Sequence, residues 1–244
     1  MKIVGNTILI TGGATGIGLA LAEDLVRRGN VVIVCGRREE RLTEAKRQIP
    51  GLVTFACDVA DAESRRDLVE FITTEFQRTN VLVNNAGVQR LVDFTKAERD
   101  LANADEEIAI NLAAPIHLSA ELFPHLAKQP AAAIVNVSSG LAFAPLAHMP
   151  VYCATKAALH SLTLSMRYQL RNTSIRVFEM ILPVVTSELG SAHRPASLNA
   201  TAMPAGTAAT EIVEALLRDQ FEYAIGDAAG LVAKREGMFP IMNR

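Results

Sequence analysis

The stretch Thr7-Ile8-Leu9-Ile10-Thr11-Gly12-Gly13-Ala14-Thr15-Gly16-Ile17-Gly18 decides the fold. Thr7 to Ile10 is a short, continuous apolar run, the mark of a strand buried in a parallel sheet. A helical pattern then runs through Leu19, Ala22, Leu25 and Val26 until Gly29-Asn30 stops it. Between strand and helix lie closely spaced glycines. Glycines there permit a tight turn and close backbone approach, and the free N–H groups and dipole of the helix face an anion such as a pyrophosphate. A purely structural turn is the plainer reading. Placement between a strand and a helix favours dinucleotide binding at Gly12, Thr15, Gly16, Ile17 and Gly18.

Working outward, strand-like and helix-like runs alternate. Val31–Cys35, Leu52–Ala56, Val81–Val83, Ala131–Val137, Ser174–Ile181 and Glu222–Gly226 read as strands. Helical patterns cover Glu39–Ile49, Ala62–Phe76, Thr95–Leu126 (interrupted at Pro115), Met149–Leu170 and Thr210–Phe221. This alternation predicts an α/β fold: a single-domain, Rossmann-type, doubly wound parallel sheet of about seven strands with helices on both faces. One domain spans residues 1–244, with no repeat or linker. The Gly-, Pro-, Ser- and Ala-rich stretch from about 188 to 208 suits a mobile lid over a substrate. The last residues, Phe239 to Met242 among them, are expected to dock on the body or on a neighbouring subunit.

Composition narrows the function. The chain has 244 residues, 50% of them hydrophobic, enough for a core that folds without staples. A formal net charge of −2 gives no reason to propose nucleic acid or an anionic membrane as partner. The three cysteines lack metal-ligand spacing and read as reduced thiols of a cytoplasmic protein. No metal site is expected. The first residues lead straight into a strand without a signal-peptide core, and no apolar run nears the ~20 residues of a membrane span.

Chemistry concentrates in a few places. Tyr152 and Lys156 are four apart in a helical run and so share a face. An ammonium beside a phenol favours the phenolate, drawing its pKa down from about 10 toward that of a working acid/base. After the second strand comes Gly36-Arg37-Arg38, where an NAD-binding unit usually carries an acidic residue for the ribose 2′-hydroxyl. Arg37 and Arg38 can instead pair a 2′-phosphate, at roughly 4 kcal/mol per close charge contact before desolvation. NADP(H) is therefore the expected cofactor; the alternative is that the two arginines merely begin a solvated helix. Asn85, Ala86 and Gly87 follow the fourth strand, where small residues let a cofactor pass close to the backbone.

The motif T-G-x-x-x-G-I-G, the tetrapeptide Asn84-Asn85-Ala86-Gly87, Asn111, Ser139 and Tyr152-x-x-x-Lys156, in this order, resemble the short-chain dehydrogenase/reductase family. The resemblance implies hydride transfer between a nicotinamide cofactor and a carbonyl or secondary alcohol. It gives Tyr152 the acid/base role, Ser139 (thirteen residues before it) the oxygen, Lys156 the ribose and Asn111 a proton relay. It places Asp58 and Val59 on the adenine, although Asp58 reads equally as a helix cap, and it makes Asn84 structural. The family's usual Pro-Gly after the sixth strand is missing: Leu182-Pro183 stands there, followed by Val185 and Ser187 as contacts near the nicotinamide. This departure, with Phe178-Glu179, is similar to the DltE-like oxidoreductase branch. The apolar residues after Ser139 suggest a small, neutral, hydrophobic substrate, and the family implies a homodimer or homotetramer. A cofactor-sensing regulator without turnover is the alternative from another class; retention of both Tyr152 and Lys156 argues against it.

Overall fold

The computed structural model describes residues 1–96, 101, 104–190 and 199–243. Its strands are β1 (Thr7–Thr11), β2 (Val31–Gly36), β3 (Val53–Ala56), β4 (Thr79–Asn84), β5 (Ala132–Ser139), β6 (Ile175–Leu182) and β7 (Glu222–Ala224). They form one 7-stranded sheet in the order β3-β2-β1-β4-β5-β6-β7. Each pairing is parallel. Every residue of β1 and β5 is buried, which explains why those strands read as continuous rather than alternating apolar runs. The strand order reverses between β1 and β4, so the carboxyl ends of these two strands flank a switch-point crevice.

The helices are α1 (Gly16–Arg27), α2 (Glu39–Gln48), α3 (Ala62–Glu75), α4 (Ala104–Ile108), α5 (Ala114–Leu126), α6 (Pro150–Gln169), α7 (Ala205–Leu217), α8 (Ala228–Lys234) and α9 (Phe239–Met242). They cover both faces. Leu21 and Leu25 of α1, Leu42 of α2 and Ile212 of α7 pack with Ile8, Val34, Val135 and Phe178 on one side. Leu68 and Ile72 of α3 and Leu118 and Leu122 of α5 pack with Leu9, Ile33, Leu82 and Ile134 on the other. Neighbouring strand residues enter opposite layers, as pleating requires.

Several boundaries differ from the sequence reading for identifiable reasons. The long helical region does not break at Pro115. It carries a π-helical turn over Ala109–Ala113 that runs directly into α5, and Pro115, which has no N–H to bond back into that turn, is the second residue of α5. The start expected at Thr95 meets a short 3₁₀ turn, Phe94–Lys96, while 97–100 and 102–103 lie outside the described residues. The lid expected over 188–208 falls partly on 191–198, also outside them; from Ala205 onward that stretch is the first turn of α7, and Ala208 is buried. The C-terminal segment docks on the body: Asn243 Nδ2 donates to Pro145 O at 3.1 Å, and Asn243 Oδ1 accepts from Ala147 N at 2.6 Å. No helix among the described residues is long and apolar enough to cross a membrane.

Candidate active site

A cleft of about 1200 Å³ opens along the carboxyl ends of the strands. Its floor at one end is the turn after β1. Gly12 has φ +64, and a Cβ there would lie 2.9 Å from Ala86 Cα. A Cβ on Gly18 would lie 2.6 Å from both Gly12 O and Asn85 Nδ2. These glycines hold the turn flat against the β4 end, and side chains there would clash with backbone. Thr15 precedes α1 in extended conformation without capping the helix through its side chain. The first N–H groups of α1 are thus left to a ligand. The shape of the turn and its uncapped helix fit the pyrophosphate of a dinucleotide.

Beyond the turn, the cleft wall is cationic. Arg37 Nη1 donates to Glu106 Oε1 at 2.7 Å and lies 3.8 Å from Asp58 Oδ2. Arg38 and Arg41 each donate to one oxygen of Glu188, both at 2.8 Å. The Arg38 guanidinium, aided by Arg41, holds the Glu188 carboxyl below the usual carboxylate range; Arg37 and then Arg90 do the same for Glu106. Asp58 does not cap α3. Asp61 does, accepting from Ser64 N at 2.7 Å, while Asp58 Oδ1 closes a turn on Ala60 N at 2.9 Å. Asp58 and Val59 line the cleft.

At the other end, β5 delivers Ser139, and α6 delivers Tyr152 and Lys156 into the same cleft. Ser139 Oγ accepts from Leu141 N at 3.1 Å, which fixes its rotamer at the start of a 3₁₀ turn. Tyr152 is 5% exposed, and the Lys156 ammonium lies 5.8 Å from its ring centre. Lys156 Nζ donates to Val137 O at 2.9 Å. Burial pushes the Lys156 pKa down to about 8, with the Glu179 carboxylate opposing the shift.

A short chain dehydrogenase family model matches residues 6–197. The chain belongs to the short-chain dehydrogenase family. Among its relatives, the uncharacterized oxidoreductase DltE of Bacillus subtilis (strain 168) is 56% identical over 194 residues, 80% of this chain and 77% of that protein. An uncharacterized oxidoreductase of Staphylococcus epidermidis is 31% identical over 178 residues, 72% of this chain and 76% of that one. This short-chain dehydrogenase is therefore DltE-like. A Burkholderia cenocepacia short chain dehydrogenase solved with NADP superposes with TM-score 0.84 at 25% identity, covering 99% of each chain. A Burkholderia phymatum enzyme of the family solved with NAD gives TM-score 0.86 at 21% identity over 100% of this chain and 97% of that one, a likeness of fold.

Within this short-chain dehydrogenase, every residue expected at the cofactor lines the cleft, including Pro183, Val185 and Ser187. Asn85 does so with its side chain turned back: Nδ2 donates to Thr11 O at 2.9 Å and Gly12 O at 3.2 Å, bracing the glycine turn. Ser187 Cβ would touch a Cβ on Gly16 at 3.1 Å, so it stands over the glycine turn. Asn111 is fully buried behind the cleft wall. Its Nδ2 donates to Val88 O at 2.8 Å and Thr155 Oγ1 at 3.2 Å, and its Oδ1 accepts from Val88 N at 2.8 Å. Its amide is satisfied, and the π turn around it shifts the α4–α5 backbone.

Sequence reading missed Arg41, one turn past Arg37, and Leu231 and Met242 of the C-terminal segment, all of which line the cleft. It also missed a polar seam between sheet and helices. Asn84 Nδ2 donates to Asn136 Oδ1 at 2.9 Å, and Asn136 Nδ2 donates to Thr163 Oγ1 at 2.9 Å. Ser138 Oγ donates to Glu179 Oε1 at 2.6 Å, and His160 Nδ1 pairs with Glu179 Oε2 at 2.7 Å. The available signal was polar residues at every second position of an otherwise apolar strand: Asn136 and Ser138.

Proposed function

We propose that this short-chain dehydrogenase transfers a hydride between NADP(H) and a small, neutral, hydrophobic carbonyl compound or secondary alcohol, with Tyr152 as acid/base. The observation that carries the reading is a buried Tyr152 with the Lys156 ammonium 5.8 Å from its ring, in one cleft with Ser139. Gly12, Thr15 to Gly18 and Asn85 to Gly87 would hold the dinucleotide, and when bound its nicotinamide supplies or accepts the hydride.

The chain's own groups do the rest. In reduction, Tyr152 gives its phenolic proton to the substrate oxygen while the carbonyl carbon gains the hydride; in oxidation, the phenolate takes that proton back. Ser139, its rotamer fixed by Leu141 N, donates to the same oxygen and stabilises the charge that develops there. The Lys156 ammonium favours the phenolate form of Tyr152 and is anchored by Val137 O. Asn111 positions the backbone at Val88 and would serve the proton relay.

Support for NADP(H) comes from Arg37, Arg38 and Arg41, which present guanidinium groups at the adenosine end and currently hold carboxylates. A bound 2′-phosphate would take the place of Glu188 on Arg38 and Arg41. Support for a neutral substrate comes from Leu141, Leu146, Met149, Leu231 and Met242 in the cleft, and from Arg90, whose guanidinium is held by Glu106 at 2.9 Å. Exposed Ile108, Ile116, Leu164 and Tyr168 on α4, α5 and α6 support pairing of copies in a homodimer or homotetramer. Free Cys35, Cys57 and Cys153 suit a cytoplasmic location. The test is a panel of hydrophobic aldehydes and ketones followed by NADPH absorbance. Turnover with NADPH exceeding that with NADH supports the reading; NADH preference overturns the cofactor assignment, and inactivity across the panel overturns the substrate class.

A further inference from the structure

Glu179 is a carboxylate with no exposed surface on β6, between β5 and the edge strand β7 of a parallel sheet. An uncompensated carboxylate there would be costly, so its partners show what it does. Side chains alternate along a strand. Phe178 and Met180 therefore enter the α1 layer, and Glu179 faces α6. It meets two groups directly: Ser138, the residue before Ser139, at 2.6 Å, and His160 at 2.7 Å. Tyr152, Lys156 and His160 are spaced by four on α6 and share its face. Lys156 Nζ is bonded to Val137 O, one residue before Ser138. The carboxylate thus sits behind the strand end that carries Ser139 and beside the helix face that carries Tyr152 and Lys156.

We propose that Glu179 is a positioning residue for the reaction, the buried counter-charge of the Lys156 ammonium and the anchor of the β5 end that presents Ser139. This rests on the reading of Lys156 and Tyr152 given above. Desolvation draws Lys156 toward its neutral form, and the field of Glu179 works against it. The other charged groups around Glu179 do not replace it. Glu222 on β7 has an oxygen within 4.8 Å of the His160 and Glu179 ligand atoms, but it is exposed and lies 3.9 Å from Arg167 of α6. His160 has its ring against Phe143, and Arg235 lies 5.5 Å from that same ring, toward solvent.

The test follows the Lys156 signal by NMR in protein labelled with lysine ε-¹³C, assigned by its loss in Lys156→Met. Glu179→Gln keeps size and hydrogen bonding and removes the charge. The Lys156 midpoint is expected to fall by about one pH unit. The alkaline limb of kcat/KM for carbonyl reduction is expected to move down with it, while NADPH affinity changes less than about threefold. Glu179→Asp, which keeps the charge, should restore most of the displacement. An unchanged Lys156 midpoint in a folded Glu179→Gln protein overturns the proposal. Should that variant not fold, wild type decides: a neutral Lys156 amine at pH 7 overturns it, and an ammonium there supports it. The titration needs no turnover, so absence of activity in wild type would count against the proposed function and not against this inference.

Discussion

The two ends of the cleft handle charge in opposite ways. At the end proposed to take the adenosine, Arg37, Arg38 and Arg41 are about half exposed and pair with carboxylates that are themselves about a third to a half exposed. Exposed pairs contribute little to stability, typically about 0–1 kcal/mol, and are screened by salt. They can exchange partners at small cost, which suits selection of a phosphorylated ligand. At the end proposed to be catalytic, Lys156, Glu179 and Glu107 are buried. There each charge is desolvated and each neighbour matters, which suits tuning of proton affinity. Under the proposed function, one end would choose what binds and the other would set what reacts.

Perturbing the buried end should therefore have the larger effect. Tyr152→Phe removes the proton donor and is expected to lower kcat by about 10²–10⁴-fold while NADPH affinity stays near wild type; stopped-flow binding and steady-state assays check both. At the glycine turn, Gly18→Ala drives a Cβ to 2.6 Å from Gly12 O and Asn85 Nδ2. A loss of about 1–3 kcal/mol in urea unfolding is expected, together with weaker cofactor binding. Unchanged stability would mean that the turn is looser than described.

Arg38→Ala combined with Arg41→Ala should cut kcat/KM for NADPH by about 10–100-fold, from loss of hydrogen bonds to a charged phosphate. Rates with NADH should hold within about threefold, and raising the salt should shrink the difference. Equal loss with both cofactors would erase the distinction between the two ends.

The smallest effect concerns Glu107, which takes no part in the proposed chemistry. Burial raises its pKa from 4.5 to about 7, and its Oε2 lacks a partner among the described residues. A raised pKa means that the folded protein holds a proton the unfolded chain releases. The associated stability is fully present below about pH 4.5 and is lost as pH rises through about 7. Glu107→Gln should flatten that slope and raise stability at pH 8 by on the order of 1 kcal/mol. Parallel melting curves for both proteins across this range would contradict it.

The same contrast explains what could be read in advance. The fold was legible because β1 through β6 are apolar runs separated by amphipathic helices, a pattern local to each segment. The glycine turn, the Asn84 tetrapeptide and the Tyr152–Lys156 pair were legible because their spacing is itself the geometry. The Glu179 seam was not, because Ser138, His160 and Glu179 meet only after β5, α6 and β6 pack together. Arg41 was missed because an arginine on an exposed helix looks like any solvated charge. Docking of the segment that holds Met242 was expected, but its place in the cleft, like that of Leu231, was not, because the C-terminal segment has weak periodicity.

The most direct measurement of the central claim is isotope transfer. NADPH deuterated at C4 of the nicotinamide, in both stereochemical forms, is incubated with a hydrophobic aldehyde or ketone and the protein. The alcohol formed is then analysed by mass spectrometry. One deuterium at the carbinol carbon with one of the two forms, and labelled alcohol formed about 10²–10⁴-fold more slowly by Tyr152→Phe, is the predicted result. A wild-type protein that binds NADPH yet delivers no deuterium to any carbonyl, or a Tyr152→Phe protein that delivers it at the wild-type rate, would contradict the account.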